Sequence, residues 1–207
     1  MAYMVYKLQD TIRVPPNKFK ADLKKSVLEM VQGDYEGIVD EDLGVLIAAI
    51  AVESIGEGKV IPGDGGAWYD AVFSVLAFKP EIQEVLEGDV TEVTEFGAFI
   101  NTGPIEGLVH VSQMMDDFIN YDAKGPKFVG KETGRKVQVG DSVLSRVVTI
   151  SLKGSISKSK IGLTMRQQGL GVHEWRLKQF AKKGREEKEA KDKKMERLKG
   201  ESRAARK

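Results

Sequence analysis

Two short runs, Phe96-Gly97-Ala98-Phe99 and Leu108-Val109-His110-Val111-Ser112, carry the aromatic rings and the imidazole best placed in this chain to bind a ligand. In a regular strand Phe96 and Phe99 point to opposite faces, because side chains alternate with period two. A bulge at Gly97 would insert one extra residue and bring both rings to one side. In the second run Leu108 and His110 share a face opposite Val109 and Val111. If the valines fill a core, His110 points outward. Two phenylalanines and a histidine on one outer face make a platform for unpaired bases, each stack contributing ~1–3 kcal/mol. Taken alone, an FGAF run is better explained as core packing and the histidine as a plain surface residue. The spacing of the whole set is what favours the platform.

Covalent chemistry finds little support. The chain has no cysteine, so thiol nucleophiles, disulfides and cysteine zinc sites are excluded. His110 and His173 are the only histidines, and no carboxylates fall at metal-ligand spacing in a turn or strand end. Asp116-Asp117 reads as a solvated loop pair. No catalytic residue, metal or cofactor is therefore expected, and a nuclease with an accessory RNA-binding domain is the weaker alternative.

A separate unit precedes the platform in the chain. Tyr3 to Val14 is rich in Tyr, Val, Ile and Thr and stops at Pro15-Pro16, which predicts a strand ended by a rigid turn. From Asn17 the spacing of Phe19, Leu23, Val27, Met30 and Val31 predicts one helical stripe, with Lys20, Lys24 and Lys25 solvated and Gly33 as the stop. Val45 to Val52 is continuously apolar, so both faces of a strand should be covered, and Trp68 to Phe78 mirrors it. Between them GEGKVIPGDGG, residues 56–66, predicts a hairpin with a glycine-rich tip. It lacks the GxxxxGK[ST] pattern of a phosphate loop. By composition alone it is a flexible hairpin end.

Lys79-Pro80 ends this unit and divides a domain of residues 1–80 from one of residues 81–172. Beyond it, Gly88 to Val93, Ala98 to Asn101, Gly107 to Val111, Asp141 to Leu152 and Ile161 to Met165 predict five short strands, the number of an oligonucleotide-binding barrel. Asp116 to Lys136 interrupts them and is expected to form a short helix plus an exposed insertion. The fold class is thus α+β, with a five-stranded antiparallel barrel in the second domain.

Charge separates a third part. Residues 1–172 hold 18 Lys/Arg against 24 Asp/Glu, and residues 173–207 hold 14 against 7, so an acidic body carries a basic tail. Trp175 and Phe180 could seat one helical turn on the barrel; the rest of the tail is expected to be a solvated, partly disordered helix, with a nucleic-acid-binding arm as the alternative. The longest apolar run falls far short of the ~20 residues that span a bilayer, and the N-terminus does not read as a secretory signal. A cytoplasmic location without membrane contact is expected.

The stretches GDVTEVTEFGAFINTGPIEGLVHVSQM, VQVGDSVLSRVVTISL and KIGLTMRQ resemble the RNA-binding domain named after ribosomal protein S1, over about residues 82–166. The resemblance implies that Phe96, Phe99 and His110 sit at its RNA-contacting aromatic positions. Where many such domains carry Asp after the fourth strand and Arg before the fifth, this chain has Ser151 and Lys160, with a longer loop between. Lys153, Lys158 and Lys160 instead add positive charge for phosphates.

The whole of residues 1–175, from MVYKLQDTIRVPP through GEGKVIPGDGG and LAFKP to LTMRQQGLG, resembles the E-prime subunits of archaeal RNA polymerases, counterparts of the seventh subunit of eukaryotic RNA polymerase II. This implies a truncated ribonucleoprotein-like N-terminal domain whose tip docks on the polymerase core, making Lys59, Val60, Ile61 and Pro62 candidate docking residues. It also implies a heterodimer with the polymerase's F subunit that makes up a stalk, nascent single-stranded RNA as ligand, contact with initiation factors, and no catalysis by the chain itself. A free-standing S1-type factor in translation or RNA processing is the alternative.

Overall fold

Alternation of side chains along Tyr3–Val14 gives strand β1 one face, with Tyr6, Leu8, Ile12 and Val14, that packs into an apolar cluster. In this computed structural model, which describes residues 2–19, 22–123, 125–175 and 177, β1 ends at the expected proline pair. Pro16–Lys18 then makes one 3₁₀ turn. Helix α1 (Leu23–Tyr35) starts where the Asp22 carboxylate accepts the Lys24 amide at 3.0 Å, and it buries Val27 and Val31. Two helix expectations change. Phe19 precedes α1 and is exposed, and the helix runs through Gly33 to Tyr35 because the left-handed backbone needed to leave it falls at Gly37, φ 84°. Lys24 and Lys25 are exposed as expected; Lys20 lies outside the described residues.

Strands β2 (Val39–Asp40), β3 (Gly44–Val60) and β4 (Ala67–Phe78) complete an antiparallel sheet of order β1-β4-β3-β2, with α1 against β1 and β3. β3 is longer than β4, and four register shifts along their pairing absorb the excess. Burial of β3 covers Val45, Leu46 and Ala49 but not Ile50 and Ala51, so the expectation of two covered faces holds only for its first half. Gly56 to Val60 is strand rather than loop, and the hairpin tip shortens to Ile61 through Gly66.

The second domain is built from β5 (Val85–Thr94), β6 (Gly97–Asn101), β7 (Glu106–His110), β11 (Ser142–Ser151) and β12 (Lys160–Thr164). β12 pairs with both β7 and β11 and so closes the five strands into a barrel. The β7–β12 seam is parallel and the other barrel seams are antiparallel. Inward residues Val90, Val93, Ala98, Ile100, Val109, Val147 and Leu163 fill it.

The insertion between β7 and β11 departs from the expected helix and loop. After a 3₁₀ turn at Val111–Gln113 it forms a three-stranded sheet, β8 (Ile119–Asp122), β9 (Lys127–Gly130) and β10 (Lys136–Gln138). Phe128 and Val137 bury completely in the barrel core, and Tyr121 packs on Phe128 with centroids 5.5 Å apart. Charged residues within these short strands, Asp122, Lys127 and Lys136, hid the alternation. Strand β13 (Gly171–Val172) adds to β11, and Trp175 then buries against the barrel with the Arg135 guanidinium 5.5 Å over its ring. Phe180 and the basic tail beyond it lie outside the described residues.

The two domains share apolar packing. Ala2, Val39, Val45 and Phe78 belong to the barrel's core cluster, and Tyr3 meets Phe78 edge-on at 5.1 Å. No helix among the described residues is long and apolar enough to cross a membrane.

Candidate nucleic-acid interface

Phe96 occupies the turn between β5 and β6, and Phe99 stands in the middle of β6. Their rings meet edge to face, centroids 6.0 Å apart at 88°. The two aromatics therefore share one side, but not by the expected device. β6 pairs with β7 without interruption from Gly97 to Asn101; the bulge lies in β5, between Val90 and Glu92. Phe96 reaches Phe99 because the turn precedes the strand. Gly97 is required for another reason: a Cβ there would overlap the Val109 carbonyl oxygen where β6 pairs closely with β7.

On β7, Val109 is buried and His110 exposed, the alternation the sequence predicts. The His110 Nδ1 lies 2.9 Å from the Ser112 hydroxyl and caps the following 3₁₀ turn. This contact fixes the ring through Nδ1, and Nε2 has no protein partner among the described residues.

Phe96, Phe99 and His110 line one groove of about 680 Å³ with Leu108, Val148 and Lys160. Apolar walls with polar groups along the rim suit stacked bases whose edges meet hydrogen-bonding partners. Phe96 is 49% exposed, which separates it from the closed core. Lys160 stands directly opposite Ser151 in the β11–β12 register, so a neutral hydroxyl faces it across the seam. Lys153 and Lys158 are exposed on the intervening loop but do not line the groove. The structure thus joins Lys160 to the platform and leaves the other two lysines outside it.

Several groove residues escaped the sequence reading. Val148 and Thr149 belong to a strand predicted as part of the barrel but given no role in the groove, and Glu106 and Gln113 flank the aromatic motif without belonging to it. The β7–β12 pairing would have pointed to Glu106, but a parallel seam between distant segments leaves no local signal.

The hairpin tip lies in the other domain. Val60 is 73% exposed, Ile61 and Pro62 are exposed, and Lys59 pairs with Asp70 at 3.0 Å. Asp64 organises the turn beneath them. Its carboxylate accepts from Arg13 Nε at 2.9 Å, from the Trp68 indole at 3.0 Å and from the Gly66 amide at 3.1 Å. These bonds, chiefly that from Arg13, hold the Asp64 carboxyl well below the usual carboxylate range. A glycine-rich composition predicted a flexible end; the tip is a braced turn that displays apolar side chains.

Comparison with known proteins agrees with both halves. Residues 9–65 match the model of the SHS2 domain found in N terminus of Rpb7p/Rpc25p/MJ0397, and residues 79–160 match the S1 RNA binding domain. The chain is 35% identical to DNA-directed RNA polymerase subunit Rpo7 of Saccharolobus shibatae, over 84% of this chain and 96% of that protein. It is 30% identical to the Rpo7 subunit of Sulfolobus acidocaldarius, over 87% of this chain and 98% of that protein. DNA-directed RNA polymerase V subunit 7 of Arabidopsis thaliana is 31% identical over 63% of this chain and 72% of that protein.

Proposed function

This chain belongs to the family of DNA-directed RNA polymerase subunits that includes Rpo7, and from that membership we propose that it is a non-catalytic stalk subunit that binds nascent single-stranded RNA. The observation that carries the RNA assignment is the convergence of Phe96, Phe99, His110 and Lys160 on one groove of an S1-type barrel. Bases stack on the two rings and the histidine, while Lys160 supplies charge for the backbone and Lys153 and Lys158 contribute only to RNA that extends past the groove. The chain itself makes and breaks no bonds. It acts in the cytoplasm, with the polymerase.

Lys59, Val60, Ile61 and Pro62 are the docking residues for the polymerase core. Support comes from the braced turn, since a preorganised apolar tip loses little freedom on binding. Pairing with the polymerase's F subunit and contacts with initiation factors complete the reading. Val5, on the sheet face opposite α1, is 59% exposed beside the domain junction and offers that partner an apolar seat.

Isolation of the chain from native extract, with peptide identification of what accompanies it, tests the assignment. Large polymerase subunits should co-purify. Recovery with ribosomal or RNA-processing proteins instead would favour a free-standing S1-type factor.

A further inference from the structure

We infer that Gln113 makes the RNA groove selective for bases carrying a keto group, uracil or guanine, over bases carrying an amino group at the equivalent position. The inference rests on the groove being the RNA site, and it begins from one hydrogen-bond network. Gln113 closes the 3₁₀ turn that His110 caps, and both side chains line the groove. The Thr164 hydroxyl donates to the Gln113 side-chain oxygen at 3.0 Å, the nearer of two Gln113 acceptors since the backbone carbonyl lies at 3.3 Å, and Thr164 Oγ1 in turn accepts the Arg166 amide at 3.4 Å. The Gln113 backbone carbonyl already accepts the Met165 amide at 2.8 Å. The oxygen is directed at Thr164, so the group of the Gln113 side chain left without a protein acceptor among the described residues is its NH2.

A fixed donor distinguishes bases by the group at one position. Uracil and guanine present a carbonyl oxygen where cytosine and adenine present an amino group. The carbonyl completes a hydrogen bond with the Gln113 NH2. An amino group sets donor against donor and leaves both unpaired, which is the stronger basis of selectivity. Thr164 is 4% exposed, so its hydroxyl is held in place beneath the exposed Gln113 side chain. Glu106, the carboxylate that lines the same groove and would favour amino groups, sits four residues before His110 on β7. At ~3.3 Å per residue it is about 13 Å along the strand, so a base stacked beside His110 meets Gln113 instead.

The test compares short oligouridylate with oligocytidylate by fluorescence anisotropy on the full chain at matched salt. The two pyrimidines differ at the keto or amino position and at the adjoining ring nitrogen. Oligoinosinate against oligoadenylate repeats the comparison on a purine. The parent protein should favour each keto member by roughly three- to ten-fold, the range of one hydrogen bond made or lost. Gln113→Glu exchanges the donor for an acceptor of the same shape and should reverse the ratio even as its added charge weakens both complexes. Thr164→Val removes the hydroxyl that orients the amide and should bring the ratio towards one; should that variant not fold, Gln113→Glu and Gln113→Leu decide alone. Tight binding of both members with a ratio near one in the parent, or a ratio unmoved in Gln113→Glu, overturns the inference and leaves the groove assignment standing. No binding of any strand by the parent overturns both.

Discussion

Phe99 carries the plainest consequence at the scale of single residues. It is only partly buried and its ring leans on Phe96 rather than on the closed core. Phe99→Ala should therefore weaken single-stranded RNA binding by ~1–3 kcal/mol with little loss of thermal stability. A core ring would behave in the opposite way, losing ~3–5 kcal/mol of stability on truncation. Binding and melting measured on one preparation separate the two. Lys160 tests a different contribution. Lys160→Gln should reduce the dependence of log affinity on log salt by ~0.7, the share of one phosphate contact on a single strand. The same change at Lys153 and Lys158 should leave that slope unaltered for an RNA short enough to lie within the groove. A drop of equal size for all three would show that the loop closes on RNA.

At the scale of elements, what the sequence disclosed was set by whether the signal was local. β1, with its alternation and its Pro15-Pro16 stop, was legible to the residue, and the five barrel strands were each found in place. Phe96, Phe99 and His110 were legible as a set because a turn and two adjacent strands carry them. The bulge was assigned to Gly97 because glycine marks both bulges and close approaches, and only the β6–β7 pairing decides between them. The inserted sheet was missed because three or four residues per strand give too little alternation among so many charges.

That insertion has its own brace. Asp117 accepts from the Thr133 hydroxyl at 2.7 Å, the Thr133 amide at 2.9 Å and the Glu132 amide at 3.2 Å. These bonds, led by the Thr133 hydroxyl, lower its pKa to about 2. A depressed folded pKa means that the carboxylate's contribution is complete above the unfolded value near ~3.9 and is lost as pH falls through about 2. Amide exchange at Glu132 and Thr133, corrected for intrinsic rate, should stay flat from neutral pH to about 4 and rise below it. Asp117→Asn should raise exchange at neutral pH. Equal protection in the variant would show that the turn holds without the charge.

The hairpin tip is the other element with a test. Replacing Val60, Ile61 and Pro62 by Gly and Ser removes the displayed apolar surface but leaves Asp64 and its three donors in place. The variant should melt within a few degrees of the parent and bind RNA as tightly. Its retention by the polymerase core should fall ten-fold or more, as expected when exposed anchors worth ~1.5–3 kcal/mol each when buried are lost. Undiminished retention would place core docking elsewhere on the domain.

For the whole molecule, the decisive feature is how the two domains meet. Phe78 and Val45 lie in the barrel's core cluster, so one end of the N-terminal sheet is closed by the barrel. The next cross-strand row on the same face is Val5, Leu76 and Ala48, and there the covering stops. One row further, Lys7 pairs with Glu53 at 2.7 Å and Glu53 accepts from the buried Ser74 hydroxyl at 2.8 Å, so the row is polar. Val5 thus stands on an apolar strip between the closed end and the polar row, with Ile50 of β3 also 52% exposed. Exposed apolar strips bordered by polar side chains mark surfaces that a partner covers. If the polymerase's F subunit takes this seat, the purified chains should form a one-to-one complex whose mass is read by light scattering. Val5→Asp, which buries a charge in that contact at a position 59% exposed in the free chain, should weaken the complex at least ten-fold and leave the melting of the free chain little changed. A complex of undiminished affinity in Val5→Asp would move the partner off this strip.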